Sequence, residues 1–151
     1  MDIFELIKAD HRKVEELFSQ IEKSNSSKQL DQYFKQLYKE LNVHAQVEEL
    51  TFYPSMRNHE DTEKLVDEAE EEHTEVKVIL EQMKSMDSTS AEFKEKISQL
   101  KDAVQHHVQE EENEVFPQVR QSMNEEELKQ LVTEFQEVKT TLQDQMSAAS
   151  R

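Results

Sequence analysis

The residues best suited to chemistry form two short motifs of the same kind, each a histidine followed four positions later by a glutamate. His44 and Glu48 form the first motif, His107 and Glu111 form the second, and corresponding residues are 63 positions apart. A further histidine precedes each motif, and these two are 62 positions apart. Imidazole nitrogen and carboxylate oxygen are ligands of divalent metal ions. The duplicated set therefore predicts a two-metal site with six ligands: His11, His44, Glu48, His73, His107 and Glu111.

The candidate ligands occupy positions that would otherwise continue an apolar stripe. Apolar residues recur every three or four positions in five segments of the chain, which is typical of amphipathic helices. In the first segment, His11 takes the stripe position between Ile7 and Val14. His73 interrupts the third stripe in the same way, and each His-x-x-x-Glu motif extends the end of its stripe. The six side chains are therefore predicted to face the core.

The composition favours an all-α fold. The chain has 151 residues, no Gly and only two Pro, so the tight turns of β-hairpins are unavailable. The breaks between the first four helical segments are short, and short connections make consecutive helices antiparallel neighbours. We predict a single domain over residues 1–151, an antiparallel up-down four-helix bundle with an additional C-terminal helix. Pro54 and Pro117 fall late in the second and fourth helices, where each should bend or end its helix.

Charge and composition argue against several classes of function. The formal net charge of −16 would repel nucleic acid phosphates and anionic membranes, so neither is an expected partner. Cys is absent, which excludes disulfides, thiolate metal sites and cysteine nucleophiles. No apolar run approaches the roughly 20 residues of a membrane helix, and the N-terminus has no signal-peptide pattern. We expect a cytoplasmic protein.

The ligand types narrow the choice of metal. Buried glutamates need a cation or a proton, since burying an unpartnered carboxylate is costly. Structural zinc prefers four ligands, calcium prefers oxygen ligands throughout, and magnesium rarely uses imidazole. Two iron or manganese ions, bridged by Glu48 and Glu111 and capped by two histidines each, fit better. The alternative is a salt-bridged acidic core without metal.

These residues and their order resemble the hemerythrin-like, or HHE cation-binding, domains over nearly the whole chain. The Glu-Glu and Pro positions of both repeats match as well. The resemblance implies a four-helix bundle that holds two iron ions (Fe²⁺/Fe³⁺) with a bridging oxo or hydroxo group. It also implies binding of O₂ or related small ligands. The matching ligand positions are His11, His44-x-x-x-Glu48, His73 and His107-x-x-x-Glu111.

One position departs from the family pattern, one turn after His73. Oxygen-carrying hemerythrins have a fifth histidine there, whereas this chain has Lys77. A lysine is not expected to bind iron, which argues against reversible oxygen carriage. Glu70 or a water could supply the missing ligand. Glu112 is an alternative to Glu111, since the carriers use an acidic residue at spacing five in their second motif.

Four polar residues near the motifs are not assigned as ligands. His106 points about 100° away from its neighbour His107 around the helix, and His59 lies in a connection, so both are expected at the surface. Glu49 and Glu112 are expected to orient ligands instead of binding metal.

Four functions fit the sequence. The first is a protein whose ferrous centre reacts with O₂, nitric oxide or peroxide, in order to bind, sense or scavenge that ligand. The second is a peroxide-consuming or ferroxidase-like enzyme, the third is an iron buffer or donor, and the fourth is a metal-free interaction bundle.

Tyr53 and Phe116 could line the mouth of the site. The apolar residues expected to keep water from the metals are Val14, Leu41, Val76 and Val104.

Overall fold

The computed structural model describes residues 1–149, and the predicted domain end at residue 151 lies outside them. Every regular element within this range is helical, which confirms the predicted all-α fold. Four long helices, α1, α2, α4 and α5, form the bundle. The helices are α1 (Ile3–Lys23), α2 (Ser27–Val47), α3 (Tyr53–Arg57), α4 (Glu60–Met83), α5 (Ala91–Glu110), α6 (Phe116–Ser122) and α7 (Glu125–Ala149).

Local sequence explains where the long helices begin and how they are joined. The Asp2 carboxylate accepts the Glu5 N–H at 2.8 Å, and the Glu5 side chain accepts the Asp2 N–H at 3.1 Å, which caps α1. The hydroxyls of Ser26 and Ser90 cap α2 and α5. The connections 24–26 and 84–90 are short, so α1 lies antiparallel to α2, and α4 to α5, as predicted.

The two helices that carry a His-x-x-x-Glu motif change to a π-helical turn at the glutamate. In each turn, the N–H of the following residue bonds to the carbonyl of that glutamate, five positions earlier. Pro54 and Pro117 come next, each as the second residue of a short α-helix. A proline has no N–H for the ordinary bond to the fourth preceding carbonyl, so it favours this change of hydrogen bonding. The two π-helical turns span Glu48–Phe52 and Glu111–Val115.

Two apolar clusters fill the core on either side of the candidate ligands. The first, which we call the lower cluster, lies beside the π-helical turns and includes Phe4, Phe52 and Phe116. The second, the upper cluster, lies toward the connections 24–26 and 84–90 and includes Phe18 and Leu100. The polar layer is therefore enclosed by apolar layers, and its side chains must satisfy one another or bind a ligand.

The C-terminal helix α7 covers the lower cluster. Its Leu131 and Phe135 are each 1% exposed and belong to that cluster. It packs against α1, α2 and the first π-helical turn, and its Lys139 forms an ion pair with Asp10 of α1. In the described part of the chain, no helix is long and apolar enough to cross a membrane.

Candidate metal centre

The structure brings the six candidate ligands together at one level of the bundle, between the two apolar clusters. Each of the four long helices contributes one histidine, and each π-helical turn contributes its first glutamate. All six side chains are buried, with exposed fractions of 9% or less. The residues are His11, His44, Glu48, His73, His107 and Glu111.

These residues divide into two groups of three whose ligand atoms lie within 4.8 Å of one another. In each group, both histidines come from one half of the chain and the glutamate comes from the other half. Each half therefore supplies two histidines to one group and a glutamate to the other. The first group is His11, His44 and Glu111, and the second is His73, His107 and Glu48.

Glu111 contacts both groups through its two carboxylate oxygens. Oε1 lies 3.1 Å from Nε2 of His11, and Oε2 lies 3.4 Å from Nε2 of His107. A carboxylate placed between two pairs of imidazoles can bridge two metal ions.

Glu48 has the corresponding position in the first repeat. Its Oε1 lies 3.0 Å from Nε2 of His44 and 3.3 Å from Nε2 of His73, one histidine from each group. Burial would raise the pKa of Glu48, but the charge of His44 and hydrogen bonds from the surrounding imidazoles outweigh it and hold the pKa well below its ordinary value. The completely buried carboxylate is therefore ionised.

Several buried ligand atoms at this level make no hydrogen bond of good geometry, even where an imidazole nitrogen and a carboxylate oxygen lie 3.0–3.1 Å apart. Among the described residues, the buried atoms in this condition include Nε2 of His11, Nε2 of His44, Oε2 of Glu48 and Oε1 of Glu111. Buried polar atoms in folded proteins are nearly always satisfied. A cation that accepts lone pairs from imidazole nitrogen and carboxylate oxygen would satisfy all four. The residues present fit a metal site of this type.

Each of the four histidines also bonds to a carboxylate through Nδ1, the ring nitrogen that faces away from the centre. The distances from Nδ1 to the carboxylate oxygen are 2.7–3.0 Å. Such a bond fixes the tautomer of the ring and directs the lone pair of Nε2 inward. The pairs are His11 with Glu112, His44 with Asp10, His73 with Glu49, and His107 with Glu72.

Two of these four carboxylates were expected from the sequence to orient ligands, and two were missed. Glu49 and Glu112 belong to the expected pair, whereas Asp10 was not considered and Glu72 belongs to a Glu-rich stretch, 68–72, that was expected to face mostly solvent. Each missed residue directly precedes a candidate histidine, and the two are 62 positions apart, as their neighbouring histidines are. Extending the repeat by one position would have found them. Glu111, not Glu112, lies among the Nε2 atoms.

The carboxylates hold protons on the imidazoles when no metal competes for them. Burial alone would lower the pKa of His44, but the charge of the nearby Glu48 carboxylate and the hydrogen bond to Asp10 raise it to about 10. The same balance of burial against neighbouring carboxylates raises the pKa of His73 and His107. A metal must therefore displace protons in order to bind.

Tyr53 adds a hydroxyl to this layer. It is 1% exposed, and its oxygen lies 3.1 Å from Nε2 of His73, 3.3 Å from Oε2 of Glu111 and 3.5 Å from Oε1 of Glu48. Burial and the charges of Glu48 and Glu111 raise the pKa of Tyr53 well above its ordinary value, so the hydroxyl keeps its proton. The sequence suggested the mouth of the site for this residue, whereas the structure places it inside.

The second half of the chain has no hydroxyl at the corresponding position. Phe116 is 1% exposed and packs in the lower cluster, with its ring centre 5.0 Å from that of Phe4 and 6.1 Å from that of Phe52. It does not line a mouth either. The two halves of the centre therefore differ by one buried hydroxyl group.

A small apolar cavity of about 30 Å³ adjoins the four histidines. A water molecule needs roughly 10–15 Å³ of such space, so this volume suits a ligand of about two heavy atoms. All four apolar residues named from the sequence belong to its lining: Val14, Leu41, Val76 and Val104.

The positions considered for a fifth ligand point elsewhere. Lys77 is exposed, and the Glu70 carboxylate lies 3.1 Å from the guanidinium of Arg57. His59 is half-buried and lies 2.7 Å from Glu127 of α7, so it is paired and not simply solvated. The hydroxyl of Tyr53, which was not considered as a ligand, lies beside the candidate ligands.

Residues 2–119 match the family described as the Hemerythrin HHE cation binding domain. The chain is also 37% identical over 149 residues to a protein of Nostoc sp. (strain PCC 7120) named DNA nickase, an alignment that covers 97% of this chain and 41% of that protein. It is 27% identical over 139 residues to an uncharacterized hemerythrin-like protein of Schizosaccharomyces pombe, covering 91% of this chain and 68% of the relative. The chain thus spans less than half of the Nostoc protein.

The fold is also found in a solved structure. The crystal structure of a hemerythrin HHE cation binding domain-containing protein from Mycobacterium kansasii superimposes with a TM-score of 0.82, covering 100% of this chain and 95% of that one. The two sequences are 19% identical. At this identity, the likeness shows a shared fold.

Proposed function

The chain belongs to the hemerythrin HHE cation-binding domain family, and on that premise we propose that it is a non-heme di-iron protein that binds or reacts with O₂, nitric oxide or peroxide. The observation that carries the proposal is the duplicated set of buried imidazoles around two shared carboxylates, one of which keeps a buried oxygen without a hydrogen-bond partner. Two irons (Fe²⁺/Fe³⁺) with an oxo or hydroxo bridge would supply electrons and an open coordination position there.

Each residue has a defined part in this proposal. His11 and His44 would bind one iron, His73 and His107 the other, and both glutamates would bridge them. Two divalent ions bring four positive charges, of which the glutamates cancel two and an oxo or hydroxo bridge more. The charge balance permits burial between the apolar clusters.

The apolar cavity supports a small uncharged ligand. At about 30 Å³, it has room for a diatomic molecule or peroxide but not for an organic substrate. Its valine and leucine side chains exclude water, which would slow uncontrolled oxidation of a ferrous centre. The alternative function is a peroxide-consuming or ferroxidase-like enzyme, or an iron buffer, and the hydroxyl of Tyr53 favours the peroxide reaction because it can donate a hydrogen bond to peroxide.

Elemental analysis after expression in iron-supplemented medium tests the proposal. We expect about two irons per chain, as a dinuclear site requires. Anaerobic titration of the ferrous protein with O₂, nitric oxide and peroxide then identifies the ligand, and turnover of excess peroxide would favour the enzyme. Zinc or manganese in place of iron would contradict the di-iron proposal, and no metal after reconstitution would contradict metal binding altogether.

Replacing Tyr53 by Phe is expected to leave iron content unchanged and to slow the reaction with peroxide by at least about 100-fold, since a buried hydrogen-bond donor is lost. Stopped-flow spectroscopy of the ferrous variant measures this rate. Tyr33→Phe removes a phenol hydroxyl remote from the candidate ligands and serves as the matched control. An unchanged rate in the Tyr53 variant would show that its hydroxyl takes no part.

Replacing Asp10 by Asn is expected to weaken metal binding by about 10–100-fold, because Asp10 orients His44 through Nδ1 at 2.8 Å. Competition with a chelator of known affinity measures the change. Asp31→Asn, at an exposed position on α2, is the control. Equal affinities in the two variants would rule out an orienting role for Asp10.

Three further proposals concern the setting of the protein. We propose a single domain over residues 1–151 and a cytoplasmic location. We also propose that nucleic acid is not a partner, because a net charge of −16 opposes binding to phosphates. The name of the Nostoc relative describes that longer protein, and a plasmid-nicking assay with this chain would test whether the activity extends to it.

A further inference from the structure

A third group of metal-ligand side chains lies outside the six candidate ligands, on the solvent side of α4 and α5. Nε2 of His106 lies 3.4 Å from Oε2 of Glu72 and 3.4 Å from Oε2 of Glu110. The three ligand atoms all lie within 4.8 Å of one another. Imidazole and two carboxylates at this spacing can hold a divalent cation such as Fe²⁺.

Glu72 connects this group to the centre. Its Oε1 bonds to Nδ1 of His107 at 2.7 Å, while its Oε2 is buried without a hydrogen-bond partner and faces His106. The exposed fractions fall from 66% at His106 to 23% at Glu110 and 12% at Glu72. The three side chains therefore form a path from solvent to a candidate ligand.

A small acidic cavity continues this path inward. It has a volume of about 10 Å³, enough for a bare cation, and Glu72 and Glu110 line it together with His107 and Glu111. Glu111 is 1% exposed, and its two carboxylate oxygens face His11 and His107 of the centre. Glu68 and Glu114 add two more carboxylates to the lining. This cavity is lined by carboxylates, whereas the apolar cavity beside the histidines has no carboxylate in its lining and so offers a cation no oxygen ligand.

We propose that Glu72, His106 and Glu110 form an auxiliary cation site that captures Fe²⁺ and delivers it through the acidic cavity to the dinuclear centre. The inference rests on the proposed function, since it assigns a route by which that centre is filled. Carboxylates from both helices line the acidic cavity, so a cation there would relieve their repulsion. The apolar cavity would then serve the small ligand, and the acidic cavity would serve the metal.

The test is a double variant, His106→Ala with Glu110→Gln, which leaves Glu72 in place to hold His107. The matched control is Glu95→Gln, an exposed carboxylate on the same helix. Equilibrium dialysis of metal-free protein with cobalt(II) measures stoichiometry. Anaerobic stopped-flow mixing with Fe²⁺ measures the rate of incorporation, and elemental analysis measures the final iron content.

We expect the wild type and the control to bind a third, weaker cobalt ion that the double variant lacks. We also expect the double variant to incorporate Fe²⁺ about tenfold more slowly while it reaches the same final iron content. Two cobalt ions in the wild type, with no third, or equal rates of iron incorporation, would overturn this inference alone. A wild type that takes up no metal would overturn the proposed function as well.

Discussion

Replacing Glu111 by Ala is expected to lower the iron content from about two ions per chain to well below one. Its two oxygens contact His11 in one group and His107 in the other, so its loss removes a ligand from both metals at once. The measurement is elemental analysis of the purified variant. Circular dichroism in the far ultraviolet establishes that the bundle is still helical.

Replacing Glu112 by Ala is the matched control, because it removes the same group from the next position. Glu112 contacts Nδ1 of His11 at 2.7 Å and is 18% exposed. Its loss should weaken metal binding by about 10–100-fold and leave the iron content near the wild-type value when iron is in excess. If the Glu112 variant lost its iron and the Glu111 variant kept it, the assignment of the bridging carboxylate would be wrong.

Metal binding is expected to stabilise the protein more strongly as the pH rises. Free metal at about 1,000 times Kd adds about 4 kcal/mol to the free energy of unfolding, or roughly 8–16 °C in Tm for a chain of this length. Nε2 of each histidine must lose its proton to bind, so the apparent affinity increases with pH. The difference in Tm between cobalt-loaded and metal-free protein should therefore grow from about pH 6 to about pH 9.

The metal-free protein should follow the opposite trend. The pKa of His44 is about 10 in the folded chain against an ordinary value of 6.5, so its contribution to stability is complete below pH 6.5 and lost as the pH rises through 10. The lowered pKa of Glu48 affects the free energy of unfolding at acidic pH. Its contribution is present above its ordinary value of 4.5 and lost as the pH falls through the folded value. Maximum stability is expected between about pH 4.5 and pH 6.5.

Scanning calorimetry of the metal-free and the cobalt-loaded protein, from about pH 4.5 to about pH 9, separates the two dependences of Tm on pH. Cobalt(II) is a suitable probe because it accepts the same ligand types as Fe²⁺. A metal-free protein that becomes more stable above pH 6.5, or a cobalt effect that shrinks with rising pH, would contradict the role given to these imidazoles.

The candidate ligands could be found in the sequence because helical periodicity alone brings them to the core. Residues four apart lie one turn above each other, so His44 and Glu48 share a face whatever the neighbouring helices do. The apolar positions around His11 and His73 identify the buried face of their helices in the same way. Short connections then place all four helices side by side.

The environment of Tyr53 could not be found in this way. A π-helical turn adds one residue to the helix, which rotates every later side chain by about 100° relative to a regular α-helix. Tyr53 follows such a turn, so a regular helical projection assigns it the wrong direction. The repeat could have identified Asp10 and Glu72 as candidates, but the histidines they bond to depend on packing distances that the sequence does not contain.

Two of the four carboxylates that bond to Nδ1 of the histidines cross between the two halves of the chain: Glu49 bonds to His73, and Glu112 bonds to His11. A hairpin of half this length could therefore assemble a complete centre only by pairing with a second copy of itself about a twofold axis. Two identical copies would have to carry two tyrosines or two phenylalanines at the positions of Tyr53 and Phe116. Covalent fusion of the halves removes that constraint, and one continuous chain can give the two metals unequal surroundings.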